Sequence, residues 1–242
     1  MVNTTKAFSI QNPLANGKFI LTAEHASNYI PIGHQPSETS ILRSHWAWDI
    51  GIAPLTEQLS KRCQSTAITA CFSRLFCDAN RHPRHETLIK KAIEGTPLSF
   101  NQHISSEERK RRIQEYHVPY HEAISKSVER RKACSAPFLL LSLHSFTPVW
   151  NHRVRSMDIG VLFDQHEDLA QQMSSRLQEH FFVRLNEPYS GKNGLIYSAD
   201  RHGRTHDIPY LELEINQTLL SSDERIELLA QTLVPILQDF SL

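Results

Sequence analysis

The sequence has few of the features that mark secreted, membrane-spanning or disulfide-stabilised proteins. Only four cysteines occur in 242 residues and none stands in a C-x-x-C pair, so we expect neither a disulfide framework nor a zinc knuckle. No segment approaches the roughly 18 consecutive apolar residues that a transmembrane helix needs. The opening residues, MVNTTKAFSI, lack the basic region and the apolar run of a signal peptide. We therefore expect a cytoplasmic protein without a membrane partner.

An excess of charge of either sign is also absent. Lysine and arginine total 26, aspartate and glutamate total 26, and the formal net charge is zero. This balance argues against a nucleic-acid partner bound through a strong basic field. The length fits one domain, which we expect to span residues 1–242.

Apolar runs alternate with segments of helical periodicity along the chain. Runs typical of strands lie at 18–26, 65–78, 137–145, 157–164 and 208–220. Segments typical of helices lie at 49–63, with Asp49 as the expected N-cap, and at 105–132, 167–181 and 222–240. We interpret 84–103 as a polar excursion and 183–203 as a short strand followed by a loop. This alternation predicts an α/β fold with a mostly parallel sheet covered on both faces.

In sheets of this kind, ligands bind beyond the carboxyl ends of the strands. The polar residues that follow the apolar runs are therefore expected to converge. They are Glu24 and His25, the segment 78–81, His144 and Ser145, and the region of Glu212 and Glu214.

Two of these histidines, together with Asp49, suggest a metal site. His25, His144 and Asp49 offer two neutral imidazoles and one carboxylate, which is the donor set of a catalytic zinc site with an open fourth position. Such an ion lowers the pKa of a bound water to about 7. The alternative is that the two histidines only form hydrogen bonds at strand ends.

The late segment LELEINQ places Glu212 and Glu214 on one face of a predicted strand. Two buried glutamates are costly unless they are paired or functional. One of them is a candidate general base that passes a proton to a leaving amine. The alternative is an edge strand with a solvated face.

The segment FSRLFCDANR supplies residues suited to a carboxylate ligand. Arg81 and Arg74 can bind a carboxylate through two parallel hydrogen bonds, and the Asn80 amide adds another. Asp78 is a candidate to orient one of these arginines, and Arg155 is a further candidate anion contact. The alternative is a set of ordinary surface ion pairs. His202 is expected in a loop before the last strand, where it could cover a pocket.

Seven segments taken together resemble the N-formylglutamate amidohydrolase family, in its branch of short members. They are EHASNYIP, HWAWDIG, SRLFCDANR, LHSFTPV, DIGVLFD, NEPYSG and LEIN, and the similarity runs from about residue 18 to residue 220. The resemblance implies a phosphorylase/hydrolase-like fold related to the zinc carboxypeptidases, with a mixed sheet of about eight strands between helices. It also implies a metal-dependent hydrolase of a linear amide C–N bond, which releases formate and an amino acid.

The resemblance also implies roles for individual residues. His25 and His144 match the metal histidines, and Glu214 matches the base of the carboxypeptidases. Asn80 and Arg81, with Arg74 or Arg155 assisting, match the residues that bind the substrate carboxylate.

The second metal ligand departs from the carboxypeptidase pattern. Asn28 stands where those enzymes have a glutamate, three residues after the first histidine. We therefore expect Asp49 to be the third ligand. Glu24 is the other candidate, either as a ligand or as a residue that orients an imidazole.

These observations predict a hydrolase that uses Zn²⁺ or another divalent metal. The expected partner is a small N-acyl amino acid such as N-formylglutamate. Two alternatives remain: a carboxypeptidase or deacylase that acts on another amide, and a ligand-binding homologue without metal. Asn28 is the sequence feature that favours the last.

Overall fold

The computed structural model describes residues 6–31, 33–34 and 39–242. Residues 1–5, the first half of the segment considered above for a signal peptide, lie outside the described residues. The helices are α1 Thr39–Leu42, α2 Ile52–Arg62, α3 Ser106–Arg112, α4 Val118–Lys132, α5 Glu167–Leu177, α6 Tyr197–His206 and α7 Asp223–Gln238. The strands are β1 Phe8–Gln11, β2 Phe19–Ala23, β3 Thr66–Ala70, β4 Ala92–Ile93, β5 Thr96–Pro97, β6 Leu139–Phe146, β7 Val149–Trp150, β8 Arg153–Val154, β9 Ile159–Leu162, β10 Val183–Leu185 and β11 Tyr210–Asn216. None of the helices in the described ranges is long and apolar enough to cross a bilayer.

Seven strands form the central sheet, in the order β1-β3-β2-β6-β11-β9-β10. The neighbours β3-β2, β2-β6, β6-β11 and β9-β10 are parallel. Only β1 against β3 and β9 against β11 run antiparallel. The prediction of an α/β fold with a mixed, mostly parallel sheet is confirmed, with seven strands in place of about eight. β4 with β5 and β7 with β8 form two small separate hairpins.

Helices cover both faces of the sheet. On one face α2, α5 and α7 pack over alternate residues of β2, β6 and β11, including Leu21, Leu141 and Leu213. On the other face α4 and α6 pack over residues of the opposite parity, including Ile20, Leu140 and Tyr210. Both faces of the central strands are therefore apolar near their amino ends, which explains their nearly continuous apolar sequence. Polar residues enter only toward the carboxyl ends.

Three local predictions need correction. Asp49 is not the N-cap of α2, because Gly51 holds that position in a left-handed conformation and Asp49 lies in the preceding turn. The segment 105–132 is one helical path but contains a π-helical turn at Ile113–His117, directly before Pro119 in the first turn of α4. His202 lies in α6 and is buried, whereas the sequence suggested a loop. Ser105 caps the start of α3, since its hydroxyl accepts a hydrogen bond from the Glu108 amide.

Gly51 sets the path between Asp49 and α2. Its φ of +83° is strained for any residue with a Cβ, and a Cβ there would lie 2.5 Å from the Leu220 Cβ. The turn can therefore pack against Leu220 only with glycine, and this close approach places Asp49 beside His25. The Asp49 amide donates to the His25 carbonyl at 2.9 Å.

Replacing Gly51 should lower the free energy of unfolding by more than backbone strain alone would. Gly51→Ala adds a steric clash with Leu220, typically about 1–3 kcal/mol, to a left-handed strain of about 1–2 kcal/mol. Gly95→Ala is the matched control, because Gly95 has φ +79° but no atom within 4 Å of the added Cβ. Urea denaturation measures both free energies of unfolding. Equal losses for the two variants would contradict the packing argument.

Candidate metal centre and active site

The carboxyl ends of β2, β6 and β11 bring the polar residues of the sequence together. Glu24 and His25 follow β2 directly, and His144 lies near the end of β6. On β11, Glu214 is in register with His144, and Glu212 with Ser142. His144, Glu212 and Glu214 therefore share one face of the sheet, and all three are buried. Because β11 lies between β6 and β9, the alternative of a solvated edge strand is wrong.

His25, Asp49 and His144 form a compact cluster. The His25 Nδ1 lies 3.2 Å from the His144 Nδ1 and 3.6 Å from the Asp49 Oδ2, and the His144 Nδ1 lies 2.8 Å from the same oxygen. Four ligands at about 2.0–2.1 Å from a tetrahedral ion stand about 3.3 Å apart. Within the described ranges, these three residues are the group of potential ligands found close enough to share one ion. The donor set and its spacing fit a divalent metal.

A carboxylate backs the outer nitrogen of each imidazole. The His25 Nε2 lies 2.7 Å from the Asp78 Oδ1, and the His144 Nε2 lies 3.0 Å from the Glu24 Oε2. Such partners fix the tautomer and orientation of metal-binding histidines. Both rings therefore present Nδ1 to the centre of the cluster. Asp78 holds a histidine, where the sequence analysis assigned it to an arginine.

Glu24 is held in place by three donors. Besides His144, it accepts hydrogen bonds from the Tyr120 hydroxyl at 2.9 Å and the Ser142 hydroxyl at 2.7 Å. Burial raises the pKa of this carboxyl, but the contacts with His144 and Ser142 outweigh burial and hold the pKa well below its usual range. Glu24 thus faces the side of His144 that is remote from Asp49, which favours an orienting role. Asn28 is turned elsewhere and donates to the Leu42 carbonyl.

Glu212 and Glu214 are buried acids with spare acceptor capacity. The Oε2 atom of each has no hydrogen-bond partner among the described residues. Burial first, and then repulsion from a neighbouring acid, raise the pKa of Glu214, while His144 opposes the rise. Unpaired buried carboxylate oxygens are costly, so they point to a ligand or proton that they receive.

The acids around the cluster attract positive charge. Burial lowers the pKa of His144, but Glu212 and Glu24 outweigh burial and raise it to about 9. His25 behaves in the opposite way, because burial and the Arg74 guanidinium lower its pKa to about 3. A site that draws a proton onto one imidazole in this way has the electrostatics to hold a cation.

The four residues expected to bind substrate do not all lie in the same environment. Arg74 is half-buried against the cluster, and its Nη2 contacts the Asp49 Oδ1. Asn80 accepts a hydrogen bond from the Ser198 amide at 2.9 Å, and it lines the cavity together with Arg81. Arg155 lies behind the cavity wall, with its guanidinium 5.4 Å from the Trp150 and Tyr189 rings.

A cavity of about 250 Å³ opens above the cluster. Its floor is formed by His25, Asp49, His144 and the two β11 glutamates, and its walls include Trp46, Trp150 and Tyr189. Pockets for drug-sized ligands typically measure about 300–1,000 Å³. This cavity therefore suits a molecule of amino-acid size better than a peptide.

One charged residue of the cavity wall was not predicted from the sequence. Lys90 lines the cavity, with its Nζ 5.7 Å from the centre of the Trp46 ring. It belongs to the segment 84–103, which the sequence marked only as a polar excursion. No local pattern could have found it, because the fold brings this excursion over the carboxyl ends of the strands.

A family model for N-formylglutamate amidohydrolase matches residues 17–221. The chain therefore belongs to this family, and the resemblance noted from the sequence is confirmed. No curated protein is significantly similar in sequence.

Two solved structures show the same fold. A gene product of Agrobacterium tumefaciens is 29% identical, with a TM-score of 0.90 over 96% of this chain and 93% of its own. An N-formylglutamate amidohydrolase from Ralstonia eutropha is 19% identical, with a TM-score of 0.78 over 96% of each chain. A metallo-carboxypeptidase from Burkholderia cenocepacia is more distant, with 10% identity and a TM-score of 0.44 over 96% of this chain and 59% of its own.

The hydrogen bond from Tyr120 to Glu24 should contribute measurably to stability. Tyr120→Phe removes one donor from a fully buried carboxylate, which typically costs about 1–3 kcal/mol. Tyr116→Phe is the matched control, because the Tyr116 ring packs edge-on against Phe72 and Phe76 and keeps those contacts in the variant. The free energy of unfolding in urea measures both. A loss for Tyr116→Phe as large as that for Tyr120→Phe would contradict this role of the hydroxyl.

Proposed function

We propose that this member of the N-formylglutamate amidohydrolase family hydrolyses the amide bond of N-acylated acidic amino acids, with N-formylglutamate as the first candidate. His25, Asp49 and His144 hold Zn²⁺ or another divalent ion. One observation carries the proposal: two inward-facing Nδ1 atoms and one carboxylate oxygen lie 2.8–3.6 Å apart, and each imidazole is backed by its own carboxylate.

A divalent ion bound there supplies a Lewis acid that polarises the acyl carbonyl and lowers the pKa of a water molecule. The protein supplies the remaining steps. Arg74 fixes Asp49 on one side and Ser145 does so on the other, through its amide at 3.2 Å. Asp78 and Glu24 fix the two rings. The ligand atoms are therefore arranged before any ion binds, which reduces the entropy lost on binding.

Glu214 is the residue we assign as general base. It lies beside His144 in the strand register, lines the cavity and has a buried oxygen without a hydrogen-bond partner in the described part of the chain. The water oxygen joins the acyl carbon while its proton passes to Glu214. The carbon–nitrogen bond then breaks, and Glu214 returns the proton to the amine nitrogen that leaves. The products are formate and the free amino acid.

We assign the α-carboxylate of the substrate to Arg81 and Asn80. Both line the cavity, and the Asn80 amide oxygen accepts from the Ser198 amide. The Asn80 NH₂ group has only long contacts, at 3.5 Å from the His144 Nε2 and 3.5 Å from the Leu195 carbonyl oxygen, which a substrate carboxylate could replace. A guanidinium binds a carboxylate with two parallel hydrogen bonds, and the amide adds a third. Arg155 supports this wall from behind through the Trp150 and Tyr189 rings.

Lys90 favours a substrate with a second negative charge. Within the described residues, neither Lys90 nor Arg81 forms an ion pair with a carboxylate, although both line the cavity. Two cations of the cavity wall that are outside any ion pair of the described residues, in a cavity of about 250 Å³, suit a small dicarboxylate. We assign Lys90 to the side-chain carboxylate of a substrate whose α-carboxylate lies on Arg81.

The assay for the reaction is release of formate from N-formylglutamate by the metal-loaded protein. Glu214→Gln should lower kcat by about 10²–10⁴-fold, because it removes the general base, while bound metal stays stoichiometric. Glu179→Gln, at an exposed position of the chain, is the control and should retain full activity. Metal content is measured by elemental analysis, where His144→Ala should bind none.

Failure to release formate from any N-formyl amino acid would overturn the substrate proposal. A panel of N-acetyl amino acids and blocked peptides, assayed in parallel, would then identify a deacylase or a carboxypeptidase. Absence of stoichiometric metal in the wild-type protein would instead favour a ligand-binding role. Full kcat in Glu214→Gln would place the base elsewhere.

Replacing Lys90 should change specificity rather than the chemical step. Lys90→Met should raise KM for N-formylglutamate by about 10- to 100-fold, because a hydrogen bond to a charged group contributes about 1.5–3 kcal/mol. KM for N-formylmethionine, which has one carboxylate, should stay within about twofold. Lys91→Met is the matched control, because Lys91 is exposed and absent from the cavity lining. An equal rise in KM for both substrates would contradict a role in recognising the second carboxylate.

A further inference from the structure

A second group of histidines lies behind the cavity, away from the candidate metal ligands. His117 and His121 are one helical turn apart at the start of α4, and His202 and His206 are one turn apart on α6. His117, His121 and His202 are buried, and His206 is half-buried. Charged residues are common on helix surfaces, but three buried imidazoles at one helix–helix contact require hydrogen-bond partners.

Two of these rings contact the backbone of the segment that carries Asn80 and Arg81. The His121 Nε2 lies 3.0 Å from the Ala79 carbonyl oxygen, and the His117 Nε2 lies 2.9 Å from the Arg81 carbonyl oxygen. A carbonyl oxygen only accepts, so both Nε2 atoms carry the proton and donate. The two carbonyls flank Asn80.

The proton on the His121 Nε2 also determines which group donates in the hydrogen bonds on the other side of the ring. In the neutral ring its Nδ1 is an acceptor, so the His202 Nε2, at 2.8 Å, donates to it. The His202 Nδ1 then accepts from the Ser125 hydroxyl at 3.4 Å, and that hydroxyl accepts from the His206 Nε2 at 3.1 Å. In this chain of hydrogen bonds, from His206 through Ser125, His202 and His121 to the Ala79 carbonyl, each group therefore donates to the next.

Neutral rings are necessary for this pattern. Burial lowers the pKa of His202 to about 3, and burial lowers that of His121 well below its ordinary value. A proton added to the His121 Nδ1 would face the His202 Nε2–H and break the bond between the rings. The chain ends on a backbone carbonyl, which cannot pass a proton onward, so it does not serve as a proton path to the cavity.

The geometry points to a positioning role: His117 and His121, the latter fixed by His202 and Ser125, clamp the carbonyls of Ala79 and Arg81 and so hold Asn80 and Arg81 in place for substrate. The π-helical turn Ile113–His117 lies directly before this clamp, and such turns often occur at functional sites. The segment 78–81, which the two histidines hold, also carries Asp78, whose Oδ1 lies 2.7 Å from the His25 Nε2. Only the part of this inference that concerns substrate binding rests on the proposed function.

Substitutions at position 121 separate positioning from packing. His121→Leu fills most of the space but removes the donor to Ala79 and the acceptor for His202. His121→Gln keeps a donor in the position of Nε2 and should restore the clamp. His180→Gln, at an exposed position outside the chain of hydrogen bonds, is the control.

Amide hydrogen exchange tests, without any substrate, whether the two histidines hold residues 78–81 in place. In His121→Leu we expect exchange across residues 78–81 to accelerate by about tenfold or more, because the segment opens locally. Exchange across β6 should stay as in the wild type. His121→Gln should stay within about threefold of the wild type at both places. If His121→Leu does not fold, Ser125→Ala removes a half-buried link of the same chain and should give a smaller acceleration of the same segment.

Kinetics on N-formylglutamate give the second measurement. KM should rise about tenfold or more in His121→Leu, while kcat falls less than KM rises, because misplaced Asn80 and Arg81 weaken carboxylate binding. His121→Gln should restore KM. A wild-type protein without this activity would refute the proposed function. The hydrogen-exchange data alone would then show whether the histidines hold residues 78–81. Unchanged exchange in His121→Leu, or equal behaviour of the leucine and glutamine variants, would overturn the clamp.

Discussion

Five buried carboxylic acids surround two imidazoles at the carboxyl edge of the central sheet: Glu24, Asp49, Asp78, Glu212 and Glu214. This concentration of negative charge is stable only with compensating protons, cations or hydrogen-bond donors, since an uncompensated buried charge is very costly. Much of the surrounding structure meets that requirement. Tyr120 and Ser142 donate to Glu24, Ser145 donates to Asp49 through its amide, and Arg74 contacts Asp49 from the other side. A divalent ion in the centre would supply the remaining positive charge.

Hydrogen bonds connect the cluster to the helices that cover the sheet. Asp78 holds His25 and is part of the segment that contains Asn80 and Arg81. His117, at the end of the π-helical turn, and His121 of α4 hold the carbonyls of that segment, and His202 of α6 holds His121. The positions of the proposed substrate-binding groups and of a proposed metal ligand are therefore mechanically linked. A change in the helix packing behind the cavity would reach both.

The elements of the fold could largely be predicted from the sequence, because their signals are local. The run PFLLLSLHS predicted a central strand, and the helical periodicity of 222–240 predicted α7. The failures also have local causes. Asp49 resembled an N-cap because it precedes a helical pattern, but the left-handed Gly51 takes that position and frees the carboxylate for the cluster. His202 stood in a turn-rich stretch, whereas the structure has it in α6, where its ring contacts His121 of α4 at 2.8 Å.

The amino-acid sequence alone predicts the family, the alternation of strands and helices, and the residue types that gather where parallel strands end. Parallel strands share one carboxyl edge, so the convergence of His25, His144 and Glu214 follows from their position in the chain. The partner of each group was decided only by the tertiary structure. Asp78 lies on His25, Glu24 on His144, and Lys90 in the cavity wall, because side-chain contacts between distant segments depend on how loops and helices pack across the sheet.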